Sequence, residues 1–212
     1  VEDLLLLARL DRERPLDLTG VDLCVLARDA VHDVRVRDPD RQVCLDGAEE
    51  PVRIVADEHR LRQVVSNLVA NAVQHTPAGT PIRIVVGTGR TPASWPPSAA
   101  ASATGAGAEL PDGVAVGIFE VHDDGQGIPP AQAPYVFDRL YRGDSARSRG
   151  QTGGSGLGLA ITAAIVAAHH GRVELHTAPG QGARFRVLLP ADPLRTDPLR
   201  TDPQGAGQRR TR

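Results

Sequence analysis

Two stretches of the chain carry apolar residues at helical spacing. From Asp22 to about Arg37 they recur every three or four positions, which predicts an amphipathic helix with Thr19 or Asp22 as its N-cap. The same spacing begins after Asp57 and runs to about His75, just before a proline. Proline cannot continue a helix, so we expect the second helix to end there.

Most of the remaining regular sequence has the composition of β-strands. Runs rich in β-branched residues are bounded by turn residues, which predicts short strands. They lie around Val43 and at 52–55, 82–86, 114–121, 173–176 and 184–189. A third helix, made mainly of small residues, is predicted from about Gly156 to His170.

Three segments have no pattern of a packed core. The leucine-rich start, Val1 to Leu10, has the spacing of the end of a longer helix. Residues Gly89 to Gly113 are mostly small or proline, with the single Trp95, which predicts a mobile loop. The tail from Asp192 repeats Asp-Pro-Leu-Arg-Thr, so we expect it to be extended or disordered.

Charge narrows the classes of partner. The net charge of −2 argues against a nucleic-acid-binding protein, which needs a strongly basic face. No apolar run approaches the roughly 20 residues of a membrane helix, so we expect a cytoplasmic segment without direct membrane contact. All 24 basic residues are arginine. The absence of lysine excludes a Walker A loop and Schiff-base chemistry.

The first motif with chemical content lies on the second helix. Asn67 and Asn71 are four residues apart and share a face, which Gln63 and His75 extend. Amides are poor helix formers, so two of them on one face indicate a polar site, although an ordinary exposed face has the same pattern. The amide oxygen is a hard ligand that suits Mg²⁺.

The second motif follows a predicted strand. Asp123 and Asp124 come directly before Gly125 and Gly127 at the strand end. A carboxylate there can accept a hydrogen bond from an exocyclic amine such as that of adenine, and glycines let a base approach the backbone. An ordinary Asp-Gly turn has the same sequence.

The third motif is a glycine-rich run that enters the third helix, with Gly154, Ser155, Gly156, Leu157 and Gly158 in order. Exposed N–H groups at a helix start bind anions, so this run predicts a phosphate site that needs no lysine. A dinucleotide-binding turn is the alternative, but the spacing differs from Gly-x-Gly-x-x-Gly and no βαβ unit precedes it.

Taken in order, these three motifs resemble the N, G1 and G2 boxes of the ATP-binding domain of sensor histidine kinases in two-component systems. Residues 137–142 resemble the F box of that family, and 180–190 resemble its closing strand. The resemblance covers about residues 16 to 190. Val1 to Asp11 is similar to the end of the dimerisation helix that precedes the domain.

The resemblance implies an α/β (α+β) two-layer sandwich of the Bergerat type. In this fold a mixed, mainly antiparallel sheet carries helices on one face, and a flexible lid covers ATP. The implied divisions are a dimerisation-helix remnant and linker at 1–15, the catalytic domain at 16–190 with its insertion at 89–113 and lid at 128–152, and a tail at 191–212.

The resemblance also assigns site residues. Asn71 coordinates Mg²⁺, Asn67 supports the metal and phosphate geometry, and Asp123 recognises adenine. The remaining nucleotide-binding residues are Gly125, Gly127, Tyr141, Arg142, Gly154, Ser155, Gly156, Leu157 and Gly158. Three departures weaken the match: Gln74 replaces a frequent basic residue, Asp124 replaces a frequent asparagine, and Ala183 replaces a frequent threonine. Arg142, Arg147 or Arg149 of the lid are candidates for the missing phosphate contacts.

The function implied is transfer of the γ-phosphoryl group of ATP to a histidine on a dimerisation domain that this chain lacks. The family then passes the phosphoryl group to an aspartate of a response regulator, and the full-length protein is a homodimer whose upstream segments can anchor it in the membrane. His32 is followed by an acid and an arginine like a phosphoacceptor, but it lies downstream of the dimerisation helix. The isolated chain is therefore expected to bind ATP without phosphorylating itself.

Two other classes remain open at this stage. A gyrase-type ATPase activates water with a carboxylate one turn before the metal asparagine, where this chain has Asn67, which cannot accept a proton. A serine kinase of the anti-sigma-factor type, or a degenerate nucleotide-binding module, is the second alternative. The F-box match and the remnant of the dimerisation helix favour the histidine kinase.

Overall fold

A computed structural model describes residues 15–91, 102–141 and 156–191. Its helices are α1 (Leu23–Arg37), α2 (Glu58–His75) and α3 (Gly158–Ala168), with a single 3-10 turn at Ala133–Tyr135. Its strands are β1 (Thr19–Asp22), β2 (Val43–Asp46), β3 (Arg53–Ala56), β4 (Ile82–Arg90), β5 (Ser102–Gly107), β6 (Ala115–Asp123), β7 (Arg172–Thr177) and β8 (Ala183–Pro190). The predicted helical start (Val1 to Leu10), residues 142–152 of the predicted lid and the tail from Asp192 lie outside the described residues. In the part described, no helix has the length and apolar character needed to span a membrane.

Six of the strands form one sheet in the order β2-β4-β6-β8-β7-β5. Strand β2 is parallel to β4, and every other pair is antiparallel. Strands β1 and β3 form a separate antiparallel ribbon. The three helices pack beside one another against the sheet. This architecture confirms the predicted two-layer sandwich with a mixed, mainly antiparallel sheet.

Aspartates begin the two long helices. The Asp22 carboxylate accepts the backbone N–H groups of Cys24 at 2.9 Å and of Val52 at 3.1 Å, so it both caps α1 and attaches the segment before β3. Asp57 caps α2 by accepting the N–H of Arg60 at 3.1 Å. Each cap satisfies a donor that the helix leaves unpaired. Of the two predicted caps of α1, Asp22 is correct and Thr19 belongs to β1.

The core lies between the helices and the sheet. Alternate residues of β6 point toward the helices, where Phe119 and Val121 are almost completely buried. Leu68 of α2 and Ile165 of α3 close the same layer. Burial of these side chains stabilises the sandwich and holds the end of β6 against the helices.

The segment from Gly89 to Gly113 differs from its prediction as a mobile loop. Strand β4 extends to Arg90, and β5 lies inside the segment, where it pairs with β7 along all six of its residues. That part of the prediction is wrong. A β-ladder is held by backbone hydrogen bonds, so a segment of small residues can also form a strand.

Candidate functional site

The asparagine helix and the glycine-rich motif contact each other. Asn67 Nδ2 donates a hydrogen bond of 3.1 Å to the backbone oxygen of Gly158, the first residue of α3. A Cβ atom at Gly158 would lie 3.7 Å from Asn67 Cγ, so the backbone of α3 packs directly on the amide. The first and third motifs are therefore adjacent in the fold.

The other end of α2 meets the end of β6. Thr76, the C-cap of α2, donates from Oγ1 to the Ala72 oxygen at 2.6 Å and accepts from Arg41 Nη1 at 2.8 Å. A Cβ atom at Gly125 would lie 2.7 Å from Thr76 Cγ2. The second motif thus lies against the C-terminal end of the asparagine helix.

Asn71 lies between these two contacts. It is one turn after Asn67 on the same face of α2, and it precedes Thr76 by just over a turn. Its side chain is half-buried, and within the described residues its amide makes no hydrogen bond to protein. A half-buried amide with free oxygen and nitrogen atoms, set between a glycine-rich helix start and a buried carboxylate, is available to a ligand.

Asp123 is a buried carboxylate at the end of a central strand. The residue is 6% exposed, and its Oδ1 accepts the backbone N–H of Gly125 at 3.0 Å. Burial raises the pKa of this carboxyl, while the backbone N–H groups of Gly125 and Ala183 act in the opposite direction. The aspartate therefore retains acceptor capacity in a poorly hydrated place, which suits recognition of an amine that carries hydrogen-bond donors.

The glycines of the second motif have two different functions in the geometry. A Cβ at Gly125 would approach Asp123 Oδ1 to 2.7 Å and would fill the space beside that carboxylate. Gly127 has a φ of +67°, and a Cβ there would lie 1.9 Å from the Ala178 oxygen. Gly125 thus keeps the carboxylate accessible, whereas Gly127 allows its loop to pack on the turn between β7 and β8.

The start of α3 lacks the capping that α1 and α2 have. Leu157 occupies the N-cap position without a side-chain hydrogen bond, and the first turn has no acidic residue. Within the described residues no side chain caps the first N–H groups of this helix, whose first residue, Gly158, contacts Asn67 through its carbonyl oxygen. Uncapped N–H groups and the positive end of the helix dipole favour an anion, so the geometry fits a phosphate group.

Other predicted site residues are placed less informatively. Tyr141 is half-buried against the core and lies beside Tyr135, with ring centroids 6.1 Å apart, so its predicted nucleotide contact stays a prediction. Gly156 directly precedes the buried Leu157 at the entry to α3. The remaining predicted residues, Arg142, Gly154, Ser155, Arg147 and Arg149, lie outside the described residues.

Sequence reasoning did not identify three residues that build the site. Arg41 is 5% exposed and holds Thr76 in place, while also donating to the Thr80 oxygen at 3.0 Å. Gly182 has a φ of +70°, and a Cβ there would lie 1.8 Å from the backbone oxygen of Asp123. Thr76 had one usable signal, its position at a helix end before proline. Arg41 had none, because it is one of many arginines.

A family model agrees with this arrangement. Residues 56–193 match the histidine kinase-, DNA gyrase B- and HSP90-like ATPase family. The matched region begins at the end of β3 and contains all three motifs.

Curated relatives and solved structures point the same way. The chain is 44% identical over 192 residues to a probable sensor histidine kinase, TcrY, of Mycobacterium tuberculosis, covering 91% of this chain and 35% of the relative. It is 38% identical over 190 residues to the sensor histidine kinase TrcS of the same organism, covering 90% of this chain and 33% of the relative. The chain therefore spans about a third of the length of these curated relatives.

Among solved structures, full-length ShkA in complex with AMPPNP is 28% identical with a TM-score of 0.64, covering 92% of this chain and 36% of that one. The catalytic domain of the histidine kinase ThkA is 22% identical with a TM-score of 0.61, covering 84% of this chain and 99% of that one. The ThkA match extends over nearly the whole of an isolated catalytic domain, which supports the same fold for this chain.

Proposed function

Because the chain belongs to the histidine kinase-, DNA gyrase B- and HSP90-like ATPase family, we propose that it is the ATP-binding catalytic domain of a two-component sensor histidine kinase. The observation that carries the proposal is the contact of α2 with both other motifs, Asn67 with Gly158 at one end and Thr76 with Gly125 at the other. This arrangement supports a single site along α2, between the buried Asp123 carboxylate and the start of α3.

The chemistry of the two ends suits a nucleoside triphosphate. The adenine amine donates to the Asp123 carboxylate, and the phosphates bind at the start of α3, where Gly154, Ser155, Gly156, Leu157 and Gly158 supply backbone N–H groups. Asn71, half-buried between the two ends, supplies an amide oxygen for Mg²⁺. The metal would neutralise charge on the phosphates during transfer.

Phosphoryl transfer needs little covalent chemistry from this domain. Positioning of the nucleotide and neutralisation of its charge are the main requirements, and the site provides a ligand for the metal and N–H groups for the phosphates. We propose that the accepting histidine belongs to a dimerisation domain outside this chain. The full-length protein then acts as a homodimer and passes the phosphoryl group to the aspartate of a response regulator.

ATP hydrolysis by an activated water is the disfavoured alternative. It requires a general base one turn before the metal asparagine, and that position is Asn67. The Asn67 amide donates to the Gly158 oxygen, so it is engaged in a structural contact and cannot accept a proton.

Calorimetric titration with ATP tests the binding site. We expect the chain to bind ATP more tightly with Mg²⁺ present than with a chelator. Asn71→Ala should remove most of this metal dependence, with about a tenfold or greater loss of affinity. Ser66→Ala, on the exposed side of the same helix, is the matched control and should bind like the parent. An Asn71→Ala variant with unchanged metal dependence would refute the metal assignment.

Incubation with γ-labelled ATP tests the kinase assignment. We expect no label on the chain alone, and acid-labile label on a dimerisation domain of a related sensor kinase added in trans. Label on the chain itself would identify an internal acceptor, with the exposed His32 as the first candidate. Steady release of inorganic phosphate without an acceptor would instead favour the ATPase.

A further inference from the structure

His169 connects the ends of α2 and α3 that lie farthest from the proposed site. It is the C-cap of α3 and only 2% exposed. Its Nε2 accepts the backbone N–H of Asp57 at 3.0 Å, and its Nδ1 is 2.8 Å from the Ile165 oxygen. Since an N–H donates to Nε2, the proton of the neutral ring is on Nδ1 and points to that oxygen. Burial lowers the pKa of His169 and favours this neutral form.

The helix pair is therefore joined by a polar contact at each end. At the site end, the Asn67 amide donates to the Gly158 oxygen. At the far end, the backbone N–H of Asp57 donates to His169 Nε2. The two attachment points on α2 are ten residues apart, which is about 15 Å along a helix. Between them lie buried apolar residues of the same core cluster, Leu61 and Val64 on α2 and Ile161 and Ile165 on α3.

Apolar packing by itself does not define one orientation, because burial of apolar surface is non-directional. Directional hydrogen bonds at two separated points fix both the position and the angle of one helix on the other. If the far contact is lost, α3 can turn about the Asn67–Gly158 contact, and a turn of about 10° moves atoms roughly 5 Å from that contact, in the first turn of α3, by about 0.9 Å. Displacements of that size are enough to disturb a site that needs placement within about 0.5 Å.

We propose that His169 is a positioning residue that sets the angle of α3 against α2, and through it the distance between the first turn of α3 and Asn71. This inference rests on the proposed function, because it assigns His169 to the phosphate end of the ATP site. The base end depends on β6, which the His169 contact does not include. Loss of the contact should therefore weaken binding of the phosphates and leave binding of the base unchanged.

Three substitutions separate the hydrogen bond from the volume of the side chain. His169→Phe keeps the ring volume and removes the acceptor for the Asp57 N–H. His169→Asn keeps a donor near the Ile165 oxygen but is too short to reach Asp57. His169→Gln is long enough to place its amide oxygen where Nε2 was, so it is the conservative variant expected to restore the contact.

Affinities for ATP and for adenosine are measured in parallel with Mg²⁺ present. We expect the Phe and Asn variants to bind ATP about fivefold or more weakly, while all variants bind adenosine within about twofold of the parent. The Gln variant should bind both ligands like the parent. Equal losses of ATP and adenosine affinity, or a Gln variant as weak as the Phe variant, would overturn the proposal. If the Phe variant does not fold, the comparison of Asn with Gln decides the same question.

Amide hydrogen exchange gives a readout that needs no nucleotide. In the Phe and Asn variants we expect faster exchange at the first turn of α2, beside the lost hydrogen bond. We also expect faster exchange at the first turn of α3, which lies at the opposite end of the helix pair. Faster exchange at α2 alone would show a local cap without a positioning effect. If the parent chain binds no ATP, the proposed function fails, whereas the exchange measurement still tests the coupling of the two helices.

Discussion

Replacing Asp123 by asparagine should separate nucleotide binding from stability. The substitution keeps the shape of the side chain but removes its charge and replaces one acceptor by a donor. An adenine amine would then meet a donor where it needs an acceptor. A hydrogen bond to a charged group contributes about 1.5–3 kcal/mol, so we expect ATP to bind about 10- to 150-fold more weakly.

The effect on stability has the opposite sign. Burial raises the pKa of Asp123 above its ordinary value of 3.8, so the folded protein holds this proton more tightly than the unfolded chain does. The group's contribution to stability is present at low pH and is lost as the pH rises through the folded-state pKa. At neutral pH the ionised carboxylate therefore destabilises the fold relative to a neutral side chain, and Asp123→Asn should be at least as stable as the parent.

The assay combines ATP titration with chemical denaturation at several pH values. The stability difference between Asp123→Asn and the parent should grow as the pH rises from about 4 and then level off above the folded-state pKa. Asp124→Asn is the matched control, because its side chain is 65% exposed, and it should change neither quantity appreciably. Undiminished ATP binding by Asp123→Asn, or a marked loss of stability at neutral pH, would refute the reasoning.

Three further predictions concern the framework around the site, and one of them includes a control substitution. His170 has a φ of 55° and occupies the left-handed position after α3, which usually holds glycine. His170→Gly should therefore raise the unfolding free energy by about 0.5–1 kcal/mol in denaturant titrations, and a lower unfolding free energy would contradict this. Gly182→Ala should lower the unfolding free energy by about 2–4 kcal/mol, because its Cβ would clash with the Asp123 backbone oxygen. Gly180 has a similar φ but open space around it, so Gly180→Ala should lower it by only about 1 kcal/mol. Equal shifts in the thermal unfolding temperature of the two variants would disprove the clash. Glu120→Ala removes the buried carboxylate that lies 2.5 Å from Arg186 Nε and should lower the unfolding free energy by about 1.5–3 kcal/mol in denaturant titrations, a value near zero being the contrary result.

The elements that sequence analysis predicted well are those with a strong local pattern. Helices α1 and α2 begin and end within a residue or two of their predicted limits, because Asp22 and Asp57 are caps and a proline follows α2. Strand β5 was not predicted, since nothing in its sequence indicates the backbone of β7 as its partner. Long-range pairing of this kind is decided by the tertiary arrangement, which overrides weak local preference.

The residues of the candidate site likewise fall into those that the sequence indicates and those that only the fold reveals. The three motifs contain residues whose chemistry suits a nucleotide. In the fold, Gly158 and Gly125 both lie against α2, the helix that carries Asn67. The supporting residues were not predictable, because Arg41 and His169 act through contacts 35 and 112 residues away in the chain. Residue type identifies candidates for ligand contact, whereas the residues that hold them in place depend on the packing.

The position of β6 has a consequence for the order in which parts of the site open. Asp123 ends a strand that is paired along nine residues with β4 on one side and along eight with β8 on the other. Amides in such doubly paired central strands exchange only when the whole domain unfolds, whereas helix ends exchange through local fluctuations. Under the proposed function, the base subsite is therefore part of the slowest-opening unit of the domain, and a bound nucleotide would release its phosphates and bind them again while its base stays in place.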